Sequence, residues 1–170
     1  LDGNSGMEAD SALRLLDDLE HRGVVPALFE QPVPRDDLDG LRRVAANGRV
    51  PVAADESAAS VEDVERLAAM AAVQVINVKL MKTGIAAAVD MVTVARRAGI
   101  GLMLGGLVES ILAMTTSACV AAGLGPIRFV DLDTPLFMRD VPLRGGMAYH
   151  GGRLDLSGIA AGHGVTPTGT

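Results

Sequence analysis

Apolar runs of strand length alternate along the chain with longer stretches in which apolar residues recur at helical spacing. Residues 24–29, 50–54, 73–78, 100–104 and 127–130 are short, rich in Val, Ile and Leu, and bounded by turn residues. That is the pattern of strands buried on both faces, and it predicts a parallel set. Helix signals stand between them: Ser5 with Glu8 as a capping box, Ser60 as an N-cap, and Gly23, Gly48, Gly99 and Gly123 at C-terminal positions. Over residues 85–98, Ile85, Ala88, Val89, Val92 and Ala95 share one face, while Asp90, Arg96 and Arg97 fall off it. One side of this helix is expected to pack on the sheet.

The residue just after each predicted strand is Asp2, Glu30, Asp55, Lys79, Gly105 and Asp131, at intervals of 28, 25, 24, 26 and 26. Each step is one βα unit, and a near-constant period favours a (β/α)8 barrel over a doubly wound sheet. A complete barrel takes eight units in ~250 residues. This chain supplies about five strands and opens at the end of another. The expectation is an α/β fold: the C-terminal part of a barrel over residues 1–134, from about the end of the third strand to the eighth. A Gly-rich tail over 135–170 would pack back on the barrel or on a capping region.

Composition narrows the class. The 170 residues are 49% hydrophobic and 21% charged, enough for one core in a globular chain. A formal charge of -6 without a dense Lys/Arg run argues against nucleic acid or an anionic membrane as partner and leaves a small or cationic one. A single cysteine, Cys119, makes no internal disulfide, and the opening LDGNSGMEAD lacks a signal-peptide pattern. A cytoplasmic location is expected.

In α/β barrels chemistry sits at the C-terminal ends of the strands. Asp2, Glu30 and Asp55 stand there on successive units. Taken singly, such carboxylates read as helix N-caps or loop residues; three at a fixed period would repel one another unless a hard cation such as Mg2+ lay between them. Lys79 holds the same place one strand on. Near metal-bound carboxylates its pKa is expected to fall, suiting a general base that takes a proton α to a carboxylate; the alternative is a salt bridge to Asp55 or Glu56. Lys82 reads as a solvated lysine at a helix start. Asp131 and Asp133 flank Leu132, and period-two spacing puts both on one face, either as a pocket for an ammonium or as a capped turn before Pro135.

Other residues carry less. His21, His150 and His163 are dispersed and read as structural, and Met81, Met103 and Met114 as core filling. Cys119 has no adjacent His. Gly105 and Gly106 could open a phosphate cradle, but Glu109 at the next helix start would repel the anion.

Together these motifs resemble a known family. The ordered run Asp2-Gly3-Asn4, Glu30-Gln31-Pro32, Asp55-Glu56-Ser57, Val78-Lys79-Leu80-Met81-Lys82-Thr83-Gly84, Gly105-Gly106-Leu107-Val108-Glu109-Ser110 and Asp131-Leu132-Asp133 is similar to the muconate-lactonizing branch of the enolase superfamily. Within it, the dipeptide epimerases are most alike. The resemblance implies an enolase-superfamily (β/α)8 barrel, Mg2+ on Asp2, Glu30 and Asp55, Lys79 as one of two acid/base lysines, and Asp131 with Asp133 holding the α-ammonium of a dipeptide. It departs at Gly3, commonly Ala in the family, at Ile85, commonly Gly, and at Leu107, commonly Met. The second lysine and the specificity lid would come from an upstream portion with an N-terminal capping domain, so this chain alone is expected to be inactive, and the protein to be a homo-oligomer. N-acylamino-acid racemase, o-succinylbenzoate synthase and muconate cycloisomerase are alternatives on the same fold, and a non-catalytic half-barrel is an alternative of another class.

Overall fold

The computed structural model describes residues 1–139 and 141–169. Its elements in chain order are α1 (Ala9–His21), β1 (Phe29–Glu30), α2 (Leu38–Asn47), β2 (Val52–Ala54), α3 (Val61–Met70), β3 (Val75–Lys79), α4 (Leu80–Arg97), β4 (Gly101–Gly105), α5 (Ile111–Leu124) and β5 (Phe129–Asp131). A 3-10 turn at Thr134–Phe137 and the short strands β6 (Leu143–Gly145), β7 (Ala148–His150), β8 (Arg153–Asp155) and β9 (Val165–Pro167) follow. The first five strands form one parallel sheet in the order β1-β2-β3-β4-β5. Asp2 adds an isolated parallel bridge to Glu30 at the β1 edge. This is the curled half-barrel that the strand period predicts.

Its two faces are filled differently. Phe29, Val52, Ala54, Ile76, Val78 and Leu102 pack against helix residues such as Leu16, Leu41, Val64, Leu67 and Met91 in the larger core. The alternate residues Leu28, Ala53, Val75 and Met103, with Phe129, make a second apolar layer on the inner face. β6 pairs with β9 and β7 with β8, both antiparallel. Met147, Tyr149, Leu154 and Leu156 from this region pack with Met114, Ala118 and Leu132. α5, which carries no charged residue, is thereby covered on two sides.

Several local expectations are corrected. The run 24–29 is a strand only at Phe29–Glu30, and Val24 and Val25 are 50% and 72% exposed. Gly23 at φ 73° and the bond from Val24 N to Leu19 O close α1 there, and Pro26 has no N–H for a ladder. The Ser5–Glu8 capping box does not form: Glu8 is the N-cap, and Ser5 N and Met7 N bond to Gln31 O and Pro32 O instead. Ser60 caps α3 through Asp63 N as predicted, but that helix ends on Ala71 in the left-handed region, where no glycine marked it. Gly123 lies inside α5, and Gly125 follows its end. On α4 the buried face is Ala88, Met91, Val92 and Ala95, leaving Ile85 and Val89 exposed. Met81 is also exposed, whereas Met103 and Met114 are core.

Candidate active site

The inner face explains why the ionisable residues meet. Two residues beyond the apolar layer of Leu28, Ala53, Val75, Met103 and Phe129 come Glu30, Asp55, Asn77, Gly105 and Asp131, and one further step along β3 comes Lys79. With a side-chain period of two in parallel strands, the side chains of all but Gly105 fall on the same side as that layer.

Glu30 and Asp55 are nearly buried, at 6% and 4% exposure. Asn77 Nδ2 donates to Glu30 Oε1 at 2.7 Å. Burial is the chief force raising the Glu30 carboxyl from 4.5 to about 7; the Asn77 bond opposes it, Asp55 and Asp2 add to it, and Lys79 lowers it. Lys79 Nζ lies 2.8 Å from Asp55 Oδ2, while Lys82 Nζ contacts Asp55 Oδ1 and reaches Asp55 O at 3.1 Å. Asp2 accepts from Asn4 N at 2.9 Å and Asn4 Nδ2 at 2.8 Å. Asp131 is raised first by partial burial at the mouth, although solvent still reaches it, then by Asp133; Lys79 lowers it and Asp2 raises it. Tyr149 donates to Leu132 O at 2.6 Å, and burial followed by Asp133 pushes its hydroxyl up to about 12.

One expectation changes here. Lys82 is not a solvated lysine: α4 begins at Leu80, directly after Lys79, and non-helical Gly84 breaks it, so the first turn carries Lys82 back over Asp55. The fall expected of Lys79 belongs to carboxylates that hold a metal; among the protein's own groups the balance is different. Burial pulls Lys79 down, but the bond and charge of Asp55, with Glu30 and Glu56, hold it above its ordinary value. The salt-bridge alternative to Asp55 is therefore the state seen.

Two residues of the site were given no role by the sequence: Asn77, and Gln31, which stands in the Glu30-Gln31-Pro32 motif only as a neighbour of Glu30. Asn77 is a lone amide in the buried run of β3, spaced by two from Lys79, and a Cβ on Gly105 would come within 2.8 Å of its side chain. Gln31 is fully buried between Glu30 and Pro32. Gly3 stands where a Cβ would be 2.6 Å from Pro32 Cα, a steric reason for the departure at that position.

The donor chemistry fits a hard divalent cation: the acidic groups are oxygen donors only, and Glu30 is a buried carboxyl with one side-chain donor, Asn77, and two carboxylates, Asp55 and Asp2, acting on it. As they stand, no three His, Cys, Asp or Glu groups among the described residues are grouped to hold an ion. Both Asp55 oxygens face ammonium groups instead. Among the described residues, no helix is long and apolar enough to cross a membrane.

Comparison with known proteins places the chain. The chain is 49% identical over 165 residues to an aromatic dipeptide epimerase of Herpetosiphon aurantiacus, covering 97% of this chain and 46% of that protein. A crystal structure of a mandelate racemase/muconate lactonizing enzyme from Roseiflexus sp. superposes with a TM-score of 0.95 at 65% identity, over 98% of this chain and 48% of that one. A dipeptide epimerase from Cytophaga hutchinsonii, complexed with Mg and the dipeptide D-Ala-L-Val, superposes with a TM-score of 0.88 at 33% identity, over 98% and 45%. The chain thus spans about half the length of the relatives it matches. These relatives are isomerases, and the enolase C-terminal domain-like family matches residues 1–169. The chain belongs to that family.

Proposed function

We propose that the chain supplies one side of the active site of a magnesium-dependent dipeptide epimerase. The observation that carries this reading is the meeting of Glu30, Asp55 and Lys79 on the inner face, with Asp131 beside them at the mouth. Asp2, Glu30 and Asp55 are the residues that would hold Mg2+. Bound there, the ion would offset the anions that keep Lys79 protonated and stabilise the negative charge that builds on a substrate carboxylate as its α-proton leaves.

The chain's own residues do the rest. Lys79 Nζ, as the free amine, takes the α-proton, and the C–H electron pair moves into the carboxylate as an enediolate. A second base on the opposite face, from a portion outside this chain, returns a proton with inverted configuration. Asn77 holds Glu30, Lys82 balances Asp55, and the buried layer below excludes water from beneath the reacting carbon. Asp131 and Asp133 pair with the α-ammonium of a substrate whose amino terminus is free, which favours dipeptides over acylated amino acids.

The test is steady-state kinetics of the intact protein on a dipeptide and its N-acetyl derivative. Preference for the free dipeptide supports the reading. Preference for the acetylated compound would replace it with acylamino-acid racemisation on the same fold.

A further inference from the structure

We propose that Gln31 is a positioning residue that sets the three carboxylate-bearing loops relative to one another for a cation. The proposal rests on reading Asp2, Glu30 and Asp55 as an ion site.

The Gln31 side chain uses its full hydrogen-bonding capacity. Oε1 accepts from Asp55 N at 3.0 Å and Ser57 N at 3.1 Å, and Nε2 donates to Ser57 Oγ at 2.8 Å and Val33 O at 3.0 Å. Ser57 Oγ in turn donates to Arg35 O at 2.7 Å. The backbone adds two further ties: Gln31 N donates to Ala53 O at 2.9 Å, and Gln31 O accepts from Ser5 N at 2.8 Å. One residue thus bonds to the loop after Asp2, to the loop after Glu30 and to the loop after Asp55.

Two features separate this from simple packing. Gln31 is completely buried, and a buried amide costs stability unless all of its bonds are made, so an apolar residue would fill the space more cheaply. Its φ of +29° is also one that a glutamine rarely adopts. The strain and the buried amide occur together at the residue next to Glu30, and the bonds fall on the amide of Asp55 itself. That is where groups orient metal ligands, and their loss commonly weakens metal affinity about 10–100-fold.

The test is Mg2+ titration calorimetry on the intact protein as wild type, Gln31→Met, Asp55→Asn and Gln74→Met, with amide hydrogen exchange of the Mg2+-free proteins. Gln74 is the control: it also bridges elements, accepting from Val52 N at 2.9 Å and donating to Ala45 O at 3.1 Å, but at the far end of β2. Gln31→Met should weaken Mg2+ binding about 10–100-fold and speed exchange at the Asp55 and Ser57 amides. Gln74→Met should leave both unchanged even where it lowers the melting temperature. Wild-type affinity in Gln31→Met, with affinity lost in Asp55→Asn, overturns the proposal; so does an equal loss in Gln74→Met. Wild-type affinity in Asp55→Asn overturns the ion-site reading beneath it. Should Gln31→Met not fold, Ser57→Ala removes one anchor of the same amide: weaker Mg2+ binding supports the role, and unchanged binding overturns it.

Discussion

Asn77 Nδ2 and Glu30 Oε1 meet at 2.7 Å across the inner face, joining β3 to β1 over the intervening β2. Glu30 has no other hydrogen-bonding side chain among the described residues, and Asn77 is wholly buried with its Oδ1 unpartnered. Asn77→Leu, close in volume, should therefore cost roughly 1–3 kcal/mol by leaving a buried carboxylate without its donor. Denaturant unfolding of the Mg2+-free protein measures it, and the loss should be larger at pH 8, where Glu30 is ionised, than at pH 5. Equal losses at both pH values would contradict the pairing.

The same carboxyl sets a pH dependence. Glu30 is raised from 4.5 to about 7, so between these values the folded protein holds a proton that the unfolded chain has released. Its contribution to stability is full below about 4.5, declines as pH rises, and levels off above about 7. Glu30→Gln should flatten this decline in the Mg2+-free protein. An unchanged slope of unfolding free energy against pH would assign the decline to other groups.

The parallel sheet was legible because β2 lies within an apolar run bounded by turn residues and β3, β4 and β5 overlap such runs to within their last residue, and because one βα unit recurs at steps of 24 to 28 residues. The ionisable residues came with it, since the position after each strand follows from the strand itself. The bonding roles of Gln31 and Asn77 were not legible, although Gln31 stands in the Glu30-Gln31-Pro32 motif. Each is a single amide that bonds across the sheet to partners 24 to 47 residues away, with Val33 O the one near partner of Gln31, and no local pattern announces bonds of that range. Lys82 was misplaced for a different reason: its position depends on a helical turn starting directly after Lys79 and broken at Gly84. The direction of the Lys79 shift depends on how many anions face it, and that required the coordinates of Asp55, Glu30 and Glu56.

Asp133 offers a selective test of substrate. With Asp131 it would bind an α-ammonium through charge-assisted hydrogen bonds, each worth roughly 1.5–3 kcal/mol. Asp133→Asn should lower kcat/KM for free dipeptides about tenfold to a hundredfold, and change that for N-acetylated analogues far less. A uniform loss on both substrates would point to a structural role in the turn before Pro135.

Lys82 separates charge balance from proton transfer. Lys82→Met removes one of the two ammonium groups on Asp55 while leaving Lys79 in place. Epimerisation should slow, about tenfold, with α-proton exchange still seen from both stereoisomers. Loss of exchange from one isomer alone would make Lys82, not Lys79, the base on this face.

The most direct measurement is deuterium incorporation at the α-carbon, followed by NMR for each stereoisomer separately, with the intact protein carrying Lys79→Ala in heavy water. Two-base catalysis with Lys79 on one face predicts that epimerisation falls by about 10²–10⁴-fold or more, while one stereoisomer still exchanges its α-proton through the opposite base. Equal exchange from both stereoisomers in the Lys79→Ala protein would contradict the assignment.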